Sequence, residues 1–316
     1  MMYNSKQPKI TLKHIKNILN IEESSIHKKL KTMNIHCPKI SNRFYITHNI
    51  AKSLFALLFQ RKKIAFQIVK GGTGKTTAVH NISCAASLFG ARILAIDLDP
   101  QGNLTDAFDF NPENCPILID VLTGSAKIQN TIVKIEEGID LIPSRVENIT
   151  LDSKILLTRS PLHNIFYNLF KNIEDNYDYI LIDCPPMIGH TVTAASLYSD
   201  IILAPLNPDK FSAKGLSILK SEIAILREQY KHSLEYKIFL NKFNANTILS
   251  DKTLHTILDY ELKNGNALAT AVPLIQEIPN TIDKKHNLFS SVKISTARND
   301  FYSITKELLK IQIKKS

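Results

Sequence analysis

"IVKGGTGKTTAVHN", residues Ile68–Asn81, holds one lysine more than a phosphate-binding loop needs. The general loop reads G-x-x-x-x-G-K-[ST], with a single lysine beside the last glycine. Gly74, Lys75 and Thr76 supply the end of that pattern, but Val69 stands where its first glycine belongs, and Lys70 follows. The flanks fit the loop. "KIAFQIV" before it reads as a buried strand, and "TTAVHNISCAASLFG" after it opens as a helix that stops at Gly90. In that strand–loop–helix setting the backbone N–H groups of Gly71, Gly72, Thr73 and Gly74 can turn toward phosphate oxygens at a helix N-terminus. Lys75 is then expected on the β- and γ-phosphates, the Thr76 hydroxyl on Mg²⁺, and Thr77 near the α-phosphate.

Two further strands carry carboxylates to the same place. "ARILAIDLDPQGN" is an apolar run ending in Asp97 and Asp99, and "YDYILIDCPP" ends in Asp183. Ligands of open α/β sheets lie at the carboxyl ends of the strands, so these three aspartates are expected around the loop. Carboxylates so placed suit a hydrated Mg²⁺ and the orientation of an attacking water. The fold class follows: α/β, a phosphate-loop NTPase with a mostly parallel sheet flanked by helices.

The combination "KGGTGKTT" (70–77), "DLDPQGN" (97–103) and "LIDCPP" (181–186) resembles the ParA/MinD group of deviant-Walker ATPases, and ParA partition proteins in particular. Weaker echoes are "EEGIDLIPSRVENI" (136–149), "DKFSAKGL" (209–216) and "FLNKFN" (239–244), so the resemblance spans about residues 61–316. It implies an ATP-dependent homodimer in which two chains enclose two ATP molecules and Lys70 reaches the partner's phosphates. It also implies that Asp99 positions the hydrolytic water beside Asp97, that Asp183 holds a Mg²⁺-bound water, and that Asn241 contacts adenine. The stretch 275–289, "IQEIPNTIDKKHNLF", departs from the pattern usual in the family. A DNA-contacting role would fall on the basic zone after it, with Lys284, Lys285, Lys293 and Arg298 as candidates; a merely solvated face is the alternative.

Charge separates the chain into two parts. The net charge is +10, yet residues 1–63 alone hold 13 Lys/Arg against only Glu22 and Glu23, leaving the remainder nearly neutral. Such asymmetry points to a polyanion partner for the front segment. There, Leu12, Ile15, Ile18 and Leu19, then Ile26, Leu30 and Met33, recur at helical spacing around the break "NIEESS". "RFYITHNIAKSLFALLFQ" adds a short strand and another helix. This order resembles the winged helix-turn-helix front of MerR-like regulators and of larger plasmid partition ATPases. Residues 1–60 are therefore expected to be a small, mainly helical winged helix-turn-helix-like module before an ATPase domain, 61–316. Lys28, Lys29, Lys31 and Arg43 would contact DNA phosphates; a basic dimerisation module is the alternative.

Other classes fit less well. No apolar run reaches the ~18 residues of a membrane span, and "MMYNSKQPKI" has no apolar core of a secretory signal. The four cysteines form no C-x-x-C pair, which argues against zinc, a disulfide framework and an iron–sulfur reductase. A cytoplasmic, nucleoid-associated protein is expected, with DNA and a ParB-like centromere-binding protein as partners and no membrane. A MinD-like membrane-cycling ATPase would need an amphipathic C-terminal helix, and "FYSITKELLKIQIKKS" is only mildly so. An ATP-regulated transcriptional repressor remains the other alternative.

Overall fold

A computed structural model describes residues 6–19, 22–244 and 252–311 of the chain. The front begins with β1 (Ile10–Thr11), α1 (Leu12–Leu19) and α2 (Glu23–Thr32), then β2 (Lys39–Ile40), β3 (Arg43–Ile46) and α3 (His48–Phe55). The strands form a small antiparallel sheet in the order β1-β3-β2, with Ile10 opposite Ile46 and Lys39 opposite Phe44. Ser41 and Asn42 close the β2–β3 hairpin with φ of 45° and 61°. Positive φ at both turn residues matches the right-handed twist of the strands. Leu12, Ile15, Ile26 and Leu30 turn inward, as their spacing requires.

The body alternates strand and helix. It runs β4 (Lys62–Phe66), α4 (Lys75–Ser87), β5 (Ile93–Asp97), α5 (Asn103–Ala107), α6 (Leu118–Leu122), β6 (Val133–Glu136) and β7 (Ile139–Ile142). It continues α7 (Leu151–Thr158), α8 (Leu162–Phe170), β8 (Tyr179–Asp183), α9 (His190–Tyr198), β9 (Ile201–Leu206) and α10 (Lys210–Tyr230). Last come β10 (Glu235–Phe243), α11 (Lys252–Lys263), β11 (Val272–Pro273), α12 (Glu277–Asp283) and α13 (Thr296–Leu308). One eight-stranded sheet results, in the order β11-β10-β9-β4-β8-β5-β7-β6. Every neighbouring pair is parallel except β6 with β7. The central strands β5, β8 and β9 are buried along their whole length and apolar apart from the terminal aspartates of β5 and β8, because helices cover both faces of a parallel sheet. Their carboxyl ends therefore gather at one edge, and the glycine loop starts there.

The front is not a tethered bead. Its buried residues Ile10, Leu12, Ile15, Leu30, Ile46 and Leu54 belong to the same apolar core as Leu88, Phe89, Phe289 and Tyr302 of the body. Lys9 N–H donates to Phe289 O (2.9 Å) and Lys9 Nζ to Ser290 O (2.7 Å). His14 Nε2 meets Asn299 Oδ1 at 2.8 Å, and His48 Nδ1–H donates to Ser87 O (3.1 Å) at the end of α4. Gly138, at φ 77°, lies where any Cβ would enter the His48 ring. The stretch 275–289 thus supplies part of the front's seat, through Asn287, Leu288 and Phe289.

One expected DNA contact is corrected here. Arg298 is 1 % exposed, and its guanidinium donates to the carbonyls of Ser291 and Lys9, with Lys293 O at 3.4 Å. It closes the joint between front and body and offers nothing to a surface ligand. Charge in the tail sequence predicted a solvated arginine; the cage of carbonyls that holds it is made by segments far apart in the chain.

Candidate phosphate-binding site

The loop between β4 and α4 is built as a cradle. Gly74 takes φ of 93°, and a Cβ there would run into the Asn241 side chain. Only glycine meets both demands. The Asn241 amide donates to Thr73 O at 2.7 Å, so the end of β10 braces the loop. Lys75 opens α4, is 7 % exposed, and donates to Lys70 O at 3.2 Å. Gly71 and Gly72 are exposed at the rim, and Thr77 is half-buried in the first turn of α4.

The carboxylates stand beside the cradle with unequal duties. Asp97 and Asp183 are register partners on β5 and β8, and both are buried. The Thr76 hydroxyl donates to Asp183 Oδ2 at 2.7 Å. Asp183 Oδ1 is buried and has no hydrogen-bond partner among the described residues. Asp97 accepts from Thr105 N–H (2.9 Å), Thr105 Oγ1 (2.7 Å) and Asp99 N–H (3.1 Å). It thus anchors the turn that carries Asp99, which is half-buried.

Burial sets the electrostatics. It pushes the Asp97 carboxyl up to about 7, against the hydrogen bonds it accepts. Burial, with Asp97 beside it, raises Asp183 well above the usual carboxylate range. Burial also lowers the Lys75 ammonium, with Asp183 opposing. Two carboxyls that resist ionisation and an amine that resists protonation thus lie close enough to act on one another. A polyphosphate would restore charge to Lys75, and a divalent cation would restore it to Asp183. The orphan Asp183 Oδ1 and the adjacent Thr76 hydroxyl therefore fit Mg²⁺ bound through water, with hard oxygen donors.

The rim holds residues that sequence reasoning passed over. Lys70 pairs with Asp209 and donates to Ser212 Oγ at 3.3 Å. Gly72 O accepts from Asn207 Nδ2 (3.3 Å) and from Lys242 Nζ (2.9 Å). Lys242 has a left-handed φ of 54° where the β10–β11 register shifts. The signals in the sequence are faint: "FLNKFN" points only to Asn241, and "DKFSAKGL" is only a weak echo of the family pattern. The structure brings Lys70, Lys75, Thr76, Thr77, Asp97, Asp99, Asp183 and Asn241 to one edge of the sheet.

The DNA candidates lie elsewhere. Lys28, Lys29 and Lys31 are exposed on α2, whose other face buries Ile26 and Leu30. Arg43 is exposed at the start of β3, beside Lys39, whose ammonium lies 4.3 Å over the Phe44 ring. Lys284, Lys285 and Lys293 are exposed; Lys285 is paired with Asp106 (2.8 Å) and Asp109 (3.6 Å).

A parallel sheet with a glycine-loop cradle and carboxylates at its strand ends defines a phosphate-loop α/β protein. Residues 61–236 match the AAA_31 family, an AAA domain. A virulence plasmid ParA family protein of Chlamydia psittaci is 30 % identical over 78 % of this chain and 94 % of its own. The chain belongs to the ParA family of AAA-domain proteins. Two solved structures share the fold. Cobyrinic acid a,c-diamide synthase of Mycobacterium smegmatis, with bound ADP and magnesium, has a TM-score of 0.66 at 22 % identity, covering 79 % of this chain and 94 % of that one. A plasmid partition protein of Borrelia burgdorferi has a TM-score of 0.62 at 21 % identity, covering 79 % and 99 %. No helix among the described residues is long and apolar enough to cross a membrane.

Proposed function

We propose that the chain is an ATP-hydrolysing DNA partition protein that pairs with a second copy when ATP and Mg²⁺ are bound. The pair binds DNA without regard to sequence, and a ParB-like centromere-binding protein stimulates hydrolysis and release. The observation that carries this reading is the division of labour between two lysines on one loop. Lys75 is buried in the cradle, whereas the Lys70 side chain keeps 20 % exposure and lies at the rim. A lysine with no phosphate of its own chain to serve suits contact with a partner's nucleotide. The plasmid ParA relative and the nucleotide-bound fold neighbour support the same reading.

The residues divide the work as follows. The loop amides, Lys75 and Thr77 bind and orient the phosphates, and Thr76 with Asp183 holds the hydrated cation. Mg²⁺ neutralises charge that develops on the phosphates. Asp99 orients the attacking water, held in place by the Asp97 carboxylate on its amide. Asn241, whose amide braces Thr73, is assigned to the adenine base. On the front, α2 with its three lysines would enter the major groove of an operator, giving autorepression beside partition.

Binding of a fluorescent ATP analogue and light scattering test the two lysines separately. Lys75→Ala should lose nucleotide binding. Lys70→Ala should bind nucleotide as a single chain yet fail to dimerise with ATP and Mg²⁺. A Lys70→Ala protein that dimerises like wild type would refute the trans role. Sedimentation with ATP on DNA or on anionic vesicles distinguishes partition from membrane cycling.

A further inference from the structure

Lys70 has a firm partner within its own chain. Asp209 is the N-cap of α10: its Oδ1 accepts from Ser212 N–H at 2.9 Å, and its Oδ2 accepts from the Lys70 ammonium. Ser212 is fully buried. Its hydroxyl accepts from Lys70 (3.3 Å) and from Asn207 N–H (3.1 Å). Asn207 in turn reaches Gly72 O, so the segment Asn207–Ser212 clasps the loop rim from the end of β9. The Phe211 ring, 73 % exposed, has its centroid 5.9 Å from the Lys70 ammonium. Partial burial alone would raise the Asp209 carboxyl; the bonds from Lys70 and Ser212 outweigh it, and the group sits below its usual value.

We infer that Asp209 is a positioning residue that holds Lys70 in cis and competes with the use of that ammonium across a dimer. The inference rests on the trans role proposed for Lys70 and adds what opposes it. Held at a capped carboxylate and the Ser212 hydroxyl of its own chain, the Lys70 ammonium has to give up or share those contacts to reach a phosphate in a second chain. Helix capping fixes the carboxylate, so Asp209 keeps its place while Lys70 swings. The cis pair then sets how much nucleotide is needed before two chains associate, and it keeps Lys70 from idle contact with other anions.

Asp209→Asn isolates this role, because asparagine caps helices as well as aspartate does while the carboxylate charge that holds Lys70 is lost. Two measurements are made. The first is the ATP concentration, with Mg²⁺, that gives half-maximal dimer by light scattering. The second is the rate at which Lys70 is acylated by an amine reagent in the chain without nucleotide, read by mass spectrometry against Lys62 as internal standard. A partly exposed ion pair is worth little, so the half-maximal ATP concentration should fall only about two- to fivefold. Lys70 labelling should rise by a similar factor, a change that loss of a cap alone would not produce. Raised labelling with an unchanged ATP requirement overturns the competition. Unchanged labelling overturns the cis contact itself. If the wild type stays monomeric at saturating ATP, the trans role fails and takes the competition with it. The labelling result then still reports on the pair, so the two failures are told apart.

Discussion

At the scale of single residues, Asp97 bears a sharp conflict between charge and surroundings. It is fully buried, faces Asp183 across β5 and β8, and its carboxyl lies at about 7. A carboxyl raised in the folded protein binds its proton there at pH values where the unfolded chain has released it. Stability is then lost, not gained, as pH rises from about 4 through about 7. Asp97→Asn keeps an acceptor for Thr105 and removes the ionisable group. Its thermal stability relative to wild type should therefore improve steadily from about pH 5 to about pH 8. Chemical denaturation across that range checks it, and a flat difference would mean that Asp97 stays ionised throughout. The aspartates themselves were legible as apolar runs ending in Asp. Their division of labour was not, because the groups that occupy Asp97 come from Thr105 and the Asp99 amide, and sequence spacing does not say where a side chain's hydrogen bonds go. Lys242 was hidden for a related reason: its reach to Gly72 depends on a left-handed bend at a register shift.

At the scale of elements, the front segment reads in sequence as helix, helix, one short strand and helix, and the structure adds β1 ahead of α1 and β2 ahead of β3, so that the strand is one arm of a hairpin. Periodic apolar residues mark which face of α2 is buried, and the lysines mark the other. What the pattern could not reveal is the partner of that buried core. α13 illustrates the problem. Its sequence offers Arg298 as one basic residue among several, yet the guanidinium is the rivet between α13, the loop 291–293 and Lys9. The Nε of Arg298 is buried without a partner among the described residues, a cost tolerated because the other nitrogens are engaged by carbonyls. Arg298→Ala would strip the donor from the buried Lys9 carbonyl and from the partly buried carbonyls of Ser291 and Lys293, and remove the cation over Phe289 and Tyr302. Each unsatisfied buried group costs about 1–3 kcal/mol, so the variant should lose roughly 2 kcal/mol or more of stability, measured by urea unfolding. Lys293→Ala, exposed on the same loop, should change stability by about 0.5 kcal/mol or less. Equal behaviour of the two variants would contradict the buried role.

At the scale of the whole molecule, the shared core changes how the two basic surfaces have to be tested. Removing residues 1–60 would bare Leu88, Phe89, Phe289 and Tyr302, so a truncated chain would fail for reasons unrelated to DNA. Substitution of exposed lysines avoids this, since surface changes away from packed contacts are nearly neutral for stability. On the front, Lys28, Lys29 and Lys31 to Glu should abolish footprinting at the protein's own promoter, because a helix positioned by phosphate contacts cannot read base edges once repelled. ATP-dependent binding to random duplex should persist. Lys284→Glu with Lys293→Glu should do the reverse; Lys285 is left intact because it bridges Asp106 and Asp109. Phosphate binding releases counterions, so each lost contact should also flatten the log–log salt dependence by about one unit on the affected duplex alone. The experiment is a salt titration of both variants on promoter and random duplexes, with and without ATP. If the front variant loses all DNA binding, the body has no surface of its own. The protein is then a repressor with a single DNA site, in which ATP acts through the joint that α4 makes with the front at Ser87 and His48.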